Sequence, residues 1–592
     1  MMKNVIQSVQ KHKFIYVLIA VILYQIVCAL QGFDLSDEGW GMYFYQQIFK
    51  NPECVVAQMP YWVTGVIGGG WNLLFPEGGF FGTRMLGVIM VTGTFCISYV
   101  FLRKSIDSGW LLVGLVAQIL IVAGDPKPYG YNSLTAFIIL LVIIVFWRGL
   151  EKDKSLWLFL GGILLGVNIF VRIPNFAILP IVLVIPAYLY WKTGKIQLFT
   201  RQVWVTVLGV IVGTFVVIMA MSYWGYWPLF MEAITGVTNS VTDETNSHEF
   251  GRLVVRYTKN YWGIISVGSL LVLFGGAYVW LRNLLKIKWM GWLLSFLFLC
   301  AWIYADLRMH TALRSNDMYF AQFISYAGSI LILIHFNKNK NFRLRYIALT
   351  TLFMLIFMPL GSDQGIITMW TSSWLGLPLG AAYLYRLFSG QIYWHKKLER
   401  FSSNKEYIEL YLSIIFVAYI AAGIYKVDNW AYYDPNGRLE KVHSIHNRYC
   451  RNIYTISYRA NLINELLPVL EKYVKPDDYL LIYNFMPGLN YMTDTRSYIS
   501  NAWLWCLSGN ELEQQFQASE VKNKPLPVVL IQNFRATNSW GEYDPHFTDI
   551  NQVPNNPLSR SDQIRAVNDF LDRNHYKKVW TNQYFDILLP GS

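Results

Sequence analysis

Charge is scarce in this sequence. Asp, Glu, Lys and Arg make up 15% of 592 residues, against about 25% in an ordinary soluble domain. That is too little to coat a soluble surface of this size. Set against 54% apolar residues, it also excludes a disordered chain. Cysteine is scarce too. Six are scattered, with no CxxC, no HExxH and no His/Cys cluster at ligand spacing, so a zinc site has no support. No P-loop and no GxGxxG opening a helix is present, so ATP and dinucleotide chemistry have none either. Collagen-like and disulfide-scaffold classes fail on glycine and cysteine content.

Long apolar runs are what the chain has instead. A membrane span needs about 20 apolar residues. Thirteen stretches qualify, roughly 14–32, 82–102, 109–124, 133–147, 156–171, 175–191, 203–224, 261–281, 289–305, 317–336, 345–360, 372–388 and 407–424. The expected fold is a polytopic α-helical membrane protein with about 13 transmembrane helices. The first run follows Lys11 and Lys13 and lacks a small-residue cleavage site, so it reads as an anchor.

The net charge of +12 has a topological origin. With the N-terminus cytoplasmic, every loop assigned inside is basic: Arg103-Lys104, Arg148 to Lys154, Lys192 to Arg201, Arg282 to Lys288, Lys338 to Arg345 and Arg386 to Lys405. Short cytoplasmic loops are enriched in Lys and Arg. A nucleic-acid footprint would be a basic face with stacking aromatics, and none stands out, so no nucleic-acid partner is expected. An odd span count puts the tail outside, and a bacterial cytoplasmic (inner) membrane is the default location. The domain division is 1–424, the membrane part, and 425–592, an extracytoplasmic mixed α/β domain. Its strand-like runs are Tyr479 to Tyr483 and Pro527 to Ile531, with helical patterns at 457–473 and 561–574. Cys450 and Cys506 lie in this tail, either paired or as free thiols.

Polar chemistry in such a protein belongs just outside the span ends. After the first span comes Gly32-Phe33-Asp34-Leu35-Ser36-Asp37-Glu38-Gly39-Trp40, with three carboxylates within five residues. An aromatic amphipathic stretch follows from Trp40 to Phe49, suited to a helix lying in the interface, and Pro52 ends it. A second aromatic, Gly-rich stretch runs from Tyr61 to Phe81. The outer loop of about 33–81 is far longer than a connector needs. Its carboxylates either cap the next helix, act as a general base or hold a divalent cation.

An acidic motif directly after the first span, then an interfacial helix in a long first outer loop, resembles the GT-C superfamily of integral-membrane glycosyltransferases. Protein O-mannosyltransferases and lipid A aminoarabinose transferases belong to it. A dozen or so spans followed by an exported domain is similar as well. The resemblance covers about residues 1–424. It implies a polyprenyl-phosphate sugar as donor, inversion at the sugar carbon, and an Asp or Glu of the motif as base for a glycan, lipid or protein acceptor. Asp37 or Asp34 matches by position, with Glu38 adjacent. No cofactor is required, though Asp34 and Asp37 are a conceivable cation pair.

A lipid phosphate needs cationic donors near the membrane surface. The candidates are Arg172 in Val171 to Asn175, Lys127 in a Pro/Gly turn, Arg308 and Arg314 flanking His310, and Arg84 at the start of the second span. Arg172 is equally a capping or snorkelling residue, and the alternative for Arg308 and Arg314 is snorkelling with carboxylate pairing. Tyr129 and Tyr131 beside Lys127, together with His310 and Asp363, are candidates for sugar contact; Asp363 sits equally well in a plain turn. The loop 225–260, with Asp243, Glu244, His248 and Glu249, is a lid or a plain solvated loop. In the tail, Asn501 to Trp505 is a glycan platform or purely structural. A lipid-linked oligosaccharide ligase or polymerase would carry its large outer loop late in the chain, not first. A flippase or transporter would show paired repeats and mid-span ionisable residues, which are not evident.

Overall fold

The computed structural model describes all residues except 1, 107–108, 121–128, 196, 243–249, 285–289, 291, 299, 302–315, 336–340, 361–364, 366–371, 390–404, 430–433, 435, 533–560, 583 and 592. Helix α1 (Met2–Ala29) leads into α2 (Asp37–Gln47) and α3 (Trp62–Leu74). There follow α4 (Gly79–Leu102), α5 (Gly109–Leu120), α6 (Tyr131–Lys152), α7 (Ser155–Ile169), a 3-10 run Ile173–Leu183, α8 (Val184–Thr193), α9 (Arg201–Tyr223), α10 (Trp227–Thr242), α11 (Phe250–Leu284), α12 (Asn316–His335), α13 (Phe342–Phe357), α14 (Ser373–Phe388) and α15 (Lys405–Asn429).

Among the described residues, seven helices are long and apolar enough to cross a membrane, and three shorter apolar helices accompany them. Two more of the expected stretches form α13 and α14. The stretch 289–305 falls partly outside the described residues. The multi-helix membrane architecture is present, but thirteen spans are not established.

Glycine sets the close crossing of α7 and α9. On α7, Gly162 and Gly166 face Gly209 and Gly213 of α9. A Cβ added at Gly162 would lie 2.3 Å from the Thr206 carbonyl oxygen, and one at Gly213 would lie 2.3 Å from that of Ile163. Small residues four apart let two backbones meet where apolar burial gives no net drive. Gly213→Leu should therefore cost about 1–3 kcal/mol, read as a lower unfolding temperature in detergent. An unchanged temperature would mean that α7 and α9 are not held at this crossing.

The tail is a mixed α/β domain. Its elements are β1 (His443–Ser444), β2 (Tyr454–Thr455), α16 (Ser457–Leu470), β3 (Tyr479–Tyr483), α17 (Gly488–Thr493), β4 (Arg496–Ser497), α18 (Gly509–Val521), β5 (Val528–Gln532), α19 (Ser561–Arg573), β6 (Lys577–Thr581) and β7 (Phe585–Leu589). The five-stranded sheet has the order β4-β3-β5-β7-β6. Strands β4, β3 and β5 are parallel, and β7 and β6 join antiparallel. Parallel strands are covered on both faces, and β3 shows how. Leu480 and Ile482 join one core with Leu462, Leu466 and Leu470 of α16. Leu481 and Tyr483 join the opposite core with Phe516 of α18 and Phe570 of α19. The first of these cores is continuous with the membrane part. Ser508 and Glu511 close a capping box at the start of α18. Cys450 is buried, Cys506 is exposed, and no disulfide joins them.

Candidate active site

The site is built where α1 leaves the bundle. Gly32 donates its N–H to the Tyr454 carbonyl at 2.8 Å, and Tyr454 donates to the Leu30 carbonyl at 2.8 Å. The tail is thus stitched by backbone to the exit of the first span. Arg459 of α16 adds a bond of 3.0 Å to the Phe33 carbonyl.

The three carboxylates have three different surroundings. Asp34 is buried. One of its oxygens accepts from the Ser36 N–H and hydroxyl, both at 2.8 Å, and the other from the Glu38 N–H at 2.9 Å. It satisfies donors that a helix start leaves orphaned, which explains why α2 begins at Asp37 rather than near Trp40. Glu38 is buried against Arg84, whose Nε and Nη2 each reach a carboxylate oxygen at 2.7 Å. Burial raises the Glu38 carboxyl above its ordinary range, and Arg84 opposes that rise. Asp37, in the first turn of α2, is exposed.

Arg84 also donates to the Ala29 carbonyl at 2.9 Å and the Gly32 carbonyl at 3.0 Å. It ties the end of α1, the start of α2 and α4 together. A side chain with no exposed surface and these partners is not placed to meet a lipid phosphate, which corrects that expectation. The expected cation pair fares no better. Both Asp34 oxygens already accept hydrogen bonds, and a cation would have to displace those donors. Among the described residues no group of three or more His, Cys, Asp or Glu could hold a metal.

The amphipathic reading of Trp40 to Phe49 also needs correction. Met42, Tyr43, Phe44 and Tyr45 are all buried. On one side α3 presents Gly65 and Gly68, which make room for the Phe44 and Tyr45 rings. On the other side Gly39 meets Gly488 of α17, so that a Cβ on Gly39 would lie 2.7 Å from the Gly488 Cα. The Ser497 N–H donates to the Tyr43 oxygen at 2.7 Å, and Gln46 donates to Asp494 at 2.9 Å. The apolar surface suited to a headgroup boundary lies on α3 and its exit instead. There Leu73 and Leu74 are 69% and 74% exposed and Phe75 is 50% exposed.

The open face of α2 carries Asp37 and Trp40, three residues apart and therefore neighbours. From Trp40 an aromatic wall runs back to the bundle. The Trp40 and Tyr61 rings are 6.2 Å apart, and Tyr61 stacks on Tyr131 at 4.6 Å. The Arg172 guanidinium lies 5.5 Å over the Tyr131 ring. Arg172 is 8% exposed, and no carboxylate pairs with it among the described residues. Its turn is pinned to α6, because Asn175 donates to Thr135 at 2.8 Å and to the Asn168 carbonyl at 3.0 Å. Tyr129 is buried, and its hydroxyl is used on the Thr64 carbonyl at 3.0 Å.

Of the sequence-based candidates, the structure brings Asp34, Asp37, Glu38 and Arg84 together at the exit of α1, and Tyr131 with Arg172 on the adjoining wall. Lys127, Arg308, His310, Arg314 and Asp363 lie outside the described residues, as do Asp243, Glu244, His248 and Glu249. Trp40, Tyr61 and Arg459 were not singled out from sequence as site residues. The aromatic content of the first outer loop was the available signal for the first two.

No family model matches the chain, and no curated protein is similar to it. Two solved structures of ArnT from Cupriavidus metallidurans are similar to it. The apo state matches at 11% identity with a TM-score of 0.38. The form bound to undecaprenyl phosphate matches at 10% identity with a TM-score of 0.40. Each comparison covers 98% of both chains. Likeness at these scores carries no argument, and the functional reading rests on the site's own geometry.

Proposed function

We propose that this chain is a membrane glycosyltransferase of the GT-C type. In this reading it moves a sugar from a polyprenyl-phosphate donor to an acceptor hydroxyl at the outer membrane surface. The observation that carries the reading is the aromatic wall of Trp40, Tyr61 and Tyr131, which runs from the helix that bears Asp37 to Arg172. It joins an exposed carboxylate to a guanidinium that has no carboxylate partner among the described residues, at the end of a helical bundle. A sugar phosphate presented from the membrane needs a cation for its phosphate, ring faces for its sugar and a base for its acceptor.

Arg172 binds the departing phosphate, whose charge grows as the bond to the anomeric carbon breaks. Asp37 takes the proton from the acceptor hydroxyl as the oxygen attacks that carbon. Attack opposite the leaving group inverts the centre. Asp34 and Glu38 hold the start of α2 and keep Asp37 in place. In this reading the N-terminus is cytoplasmic and the tail lies outside a bacterial inner membrane, which the basic inner loops support. The acceptor is a glycan, a lipid or a protein.

The test is release of polyprenyl phosphate by protein in nanodiscs, offered a panel of polyprenyl-phosphate sugars with lipid and glycan acceptors. Release with one donor is the expected result. No release with any donor, together with movement of a lipid-linked oligosaccharide, would replace the reading with a ligase or a flippase. Arg172→Ala should raise the donor KM by about 10–100-fold, the worth of hydrogen bonds to a charged group. A donor KM unchanged by that substitution would remove Arg172 from the phosphate site.

A further inference from the structure

The tail sheet has a feature that the transfer reading does not use. Strands β3 and β5 are adjacent and parallel. The next strand after β3, β4, lies on one side of this pair, and the next after β5, β6, lies on the other. Open α/β sheets bind ligands outside the carboxyl ends of two such strands, where their exits diverge.

Aromatic rings gather at that point. Phe485 follows β3, and its N–H is bonded to Gln532 Oε1 at the end of β5, at 3.0 Å. The Phe485 ring lies 4.2 Å from Trp505 and 6.5 Å from Trp503. Trp503 lies 5.9 Å from Trp40 of α2. Asn501 links the two, accepting from Trp40 Nε1 at 3.2 Å and from the Trp503 N–H at 3.0 Å.

Three buried polar atoms here have no hydrogen-bond partner among the described residues: Asn484 Oδ1, Gln532 Nε2 and Trp503 Nε1. Gln532 is 6% exposed. One orphan is an acceptor and two are donors. A buried group left unpaired costs roughly 1–3 kcal/mol, and a polar ligand at the ends of these strands would supply the missing bonds. A lipid chain offers no hydrogen bonds. A phosphate would leave the Asn484 oxygen facing like charge. A saccharide offers hydroxyls that both donate and accept, and apolar ring faces that lie on aromatic rings.

We propose that the carboxyl ends of β3 and β5 form a saccharide subsite, lined by Asn484, Phe485, Trp503, Trp505 and Gln532. The subsite leads through Trp40 to Asp37. It therefore holds the acceptor and makes that acceptor a glycan, an assignment that rests on the transfer reading above.

The test uses the full chain in nanodiscs and free trisaccharides of glucose, galactose, mannose and N-acetylglucosamine, with binding read by saturation-transfer NMR. Wild type should bind at least one of them. Trp505→Ala and Gln532→Glu should each weaken that binding about tenfold, measured well below each variant's own unfolding temperature. Gln532→Glu keeps the oxygen that holds Phe485 and removes the orphan donor. Trp505→Ala carries the test if Gln532→Glu does not fold. Wild type binding no trisaccharide, or both variants binding as wild type does, would overturn the proposal. Trisaccharide binding without polyprenyl phosphate release would sink the transfer reading and leave the subsite standing.

Discussion

Replacing Asp37 by Asn should slow sugar transfer by about 10²–10⁴-fold, the usual worth of a positioned general base. The unfolding temperature in detergent should not move, because the side chain is exposed. Asn keeps the shape of the residue and removes its ability to take a proton. Donor binding should also persist, because the donor phosphate is assigned to Arg172 on the far side of the aromatic wall. The measurement is polyprenyl phosphate released per enzyme per minute at saturating donor. Wild-type release from Asp37→Asn would take the base away from Asp37. Only Asp34 and Glu38 would then remain in the motif, and both are buried with partners.

Glu38→Gln should have the opposite signature. The Glu38–Arg84 pair is bidentate, with no exposed surface on the Arg84 side chain and 4% on that of Glu38. Removing one partner of such a pair leaves a buried charge uncompensated and costs about 3–5 kcal/mol. The variant should unfold at a markedly lower temperature, and its activity should fall in step with its folded fraction. Removing both charges together, as Glu38→Leu with Arg84→Met, should recover much of the loss, since well-packed apolar replacements of buried pairs are often tolerated. A double variant no more stable than Glu38→Gln would place the cost in the carbonyl contacts of Arg84 rather than in the ion pair.

Neighbouring residues of one motif can therefore have unrelated duties. The sequence showed that three acidic residues lie at a membrane exit. It did not show which would be exposed, because that depends on Arg84, which comes 46 positions after Glu38. Hydrophobic runs are local, so the spanning helices and the tail strands at 479–483 and 528–532 could be read directly. The lipid-facing helix could not. Trp40 to Phe49 has the composition of an interfacial helix, but α3 and α17 cover it, and their glycines leave room for its rings. The tail's ring cluster was legible as Trp503 and Trp505. Its orphaned amides were not, since nothing local distinguishes Asn484 or Gln532 from any other polar residue.

The contact between Gly39 and Gly488 has a consequence for the order of assembly during synthesis. Gly39 is among the first residues made, and its cover arrives about 450 residues later. At roughly 5–20 residues per second, α2 waits on the order of 20–90 s for the backbone that packs on it. Every spanning helix after α1 is synthesised in that interval. The segment 33–81 is thus the earliest part of the site to be made and the last to be completed. A chain cut short before residue 488 would insert its helices and still lack one wall of its own candidate active site.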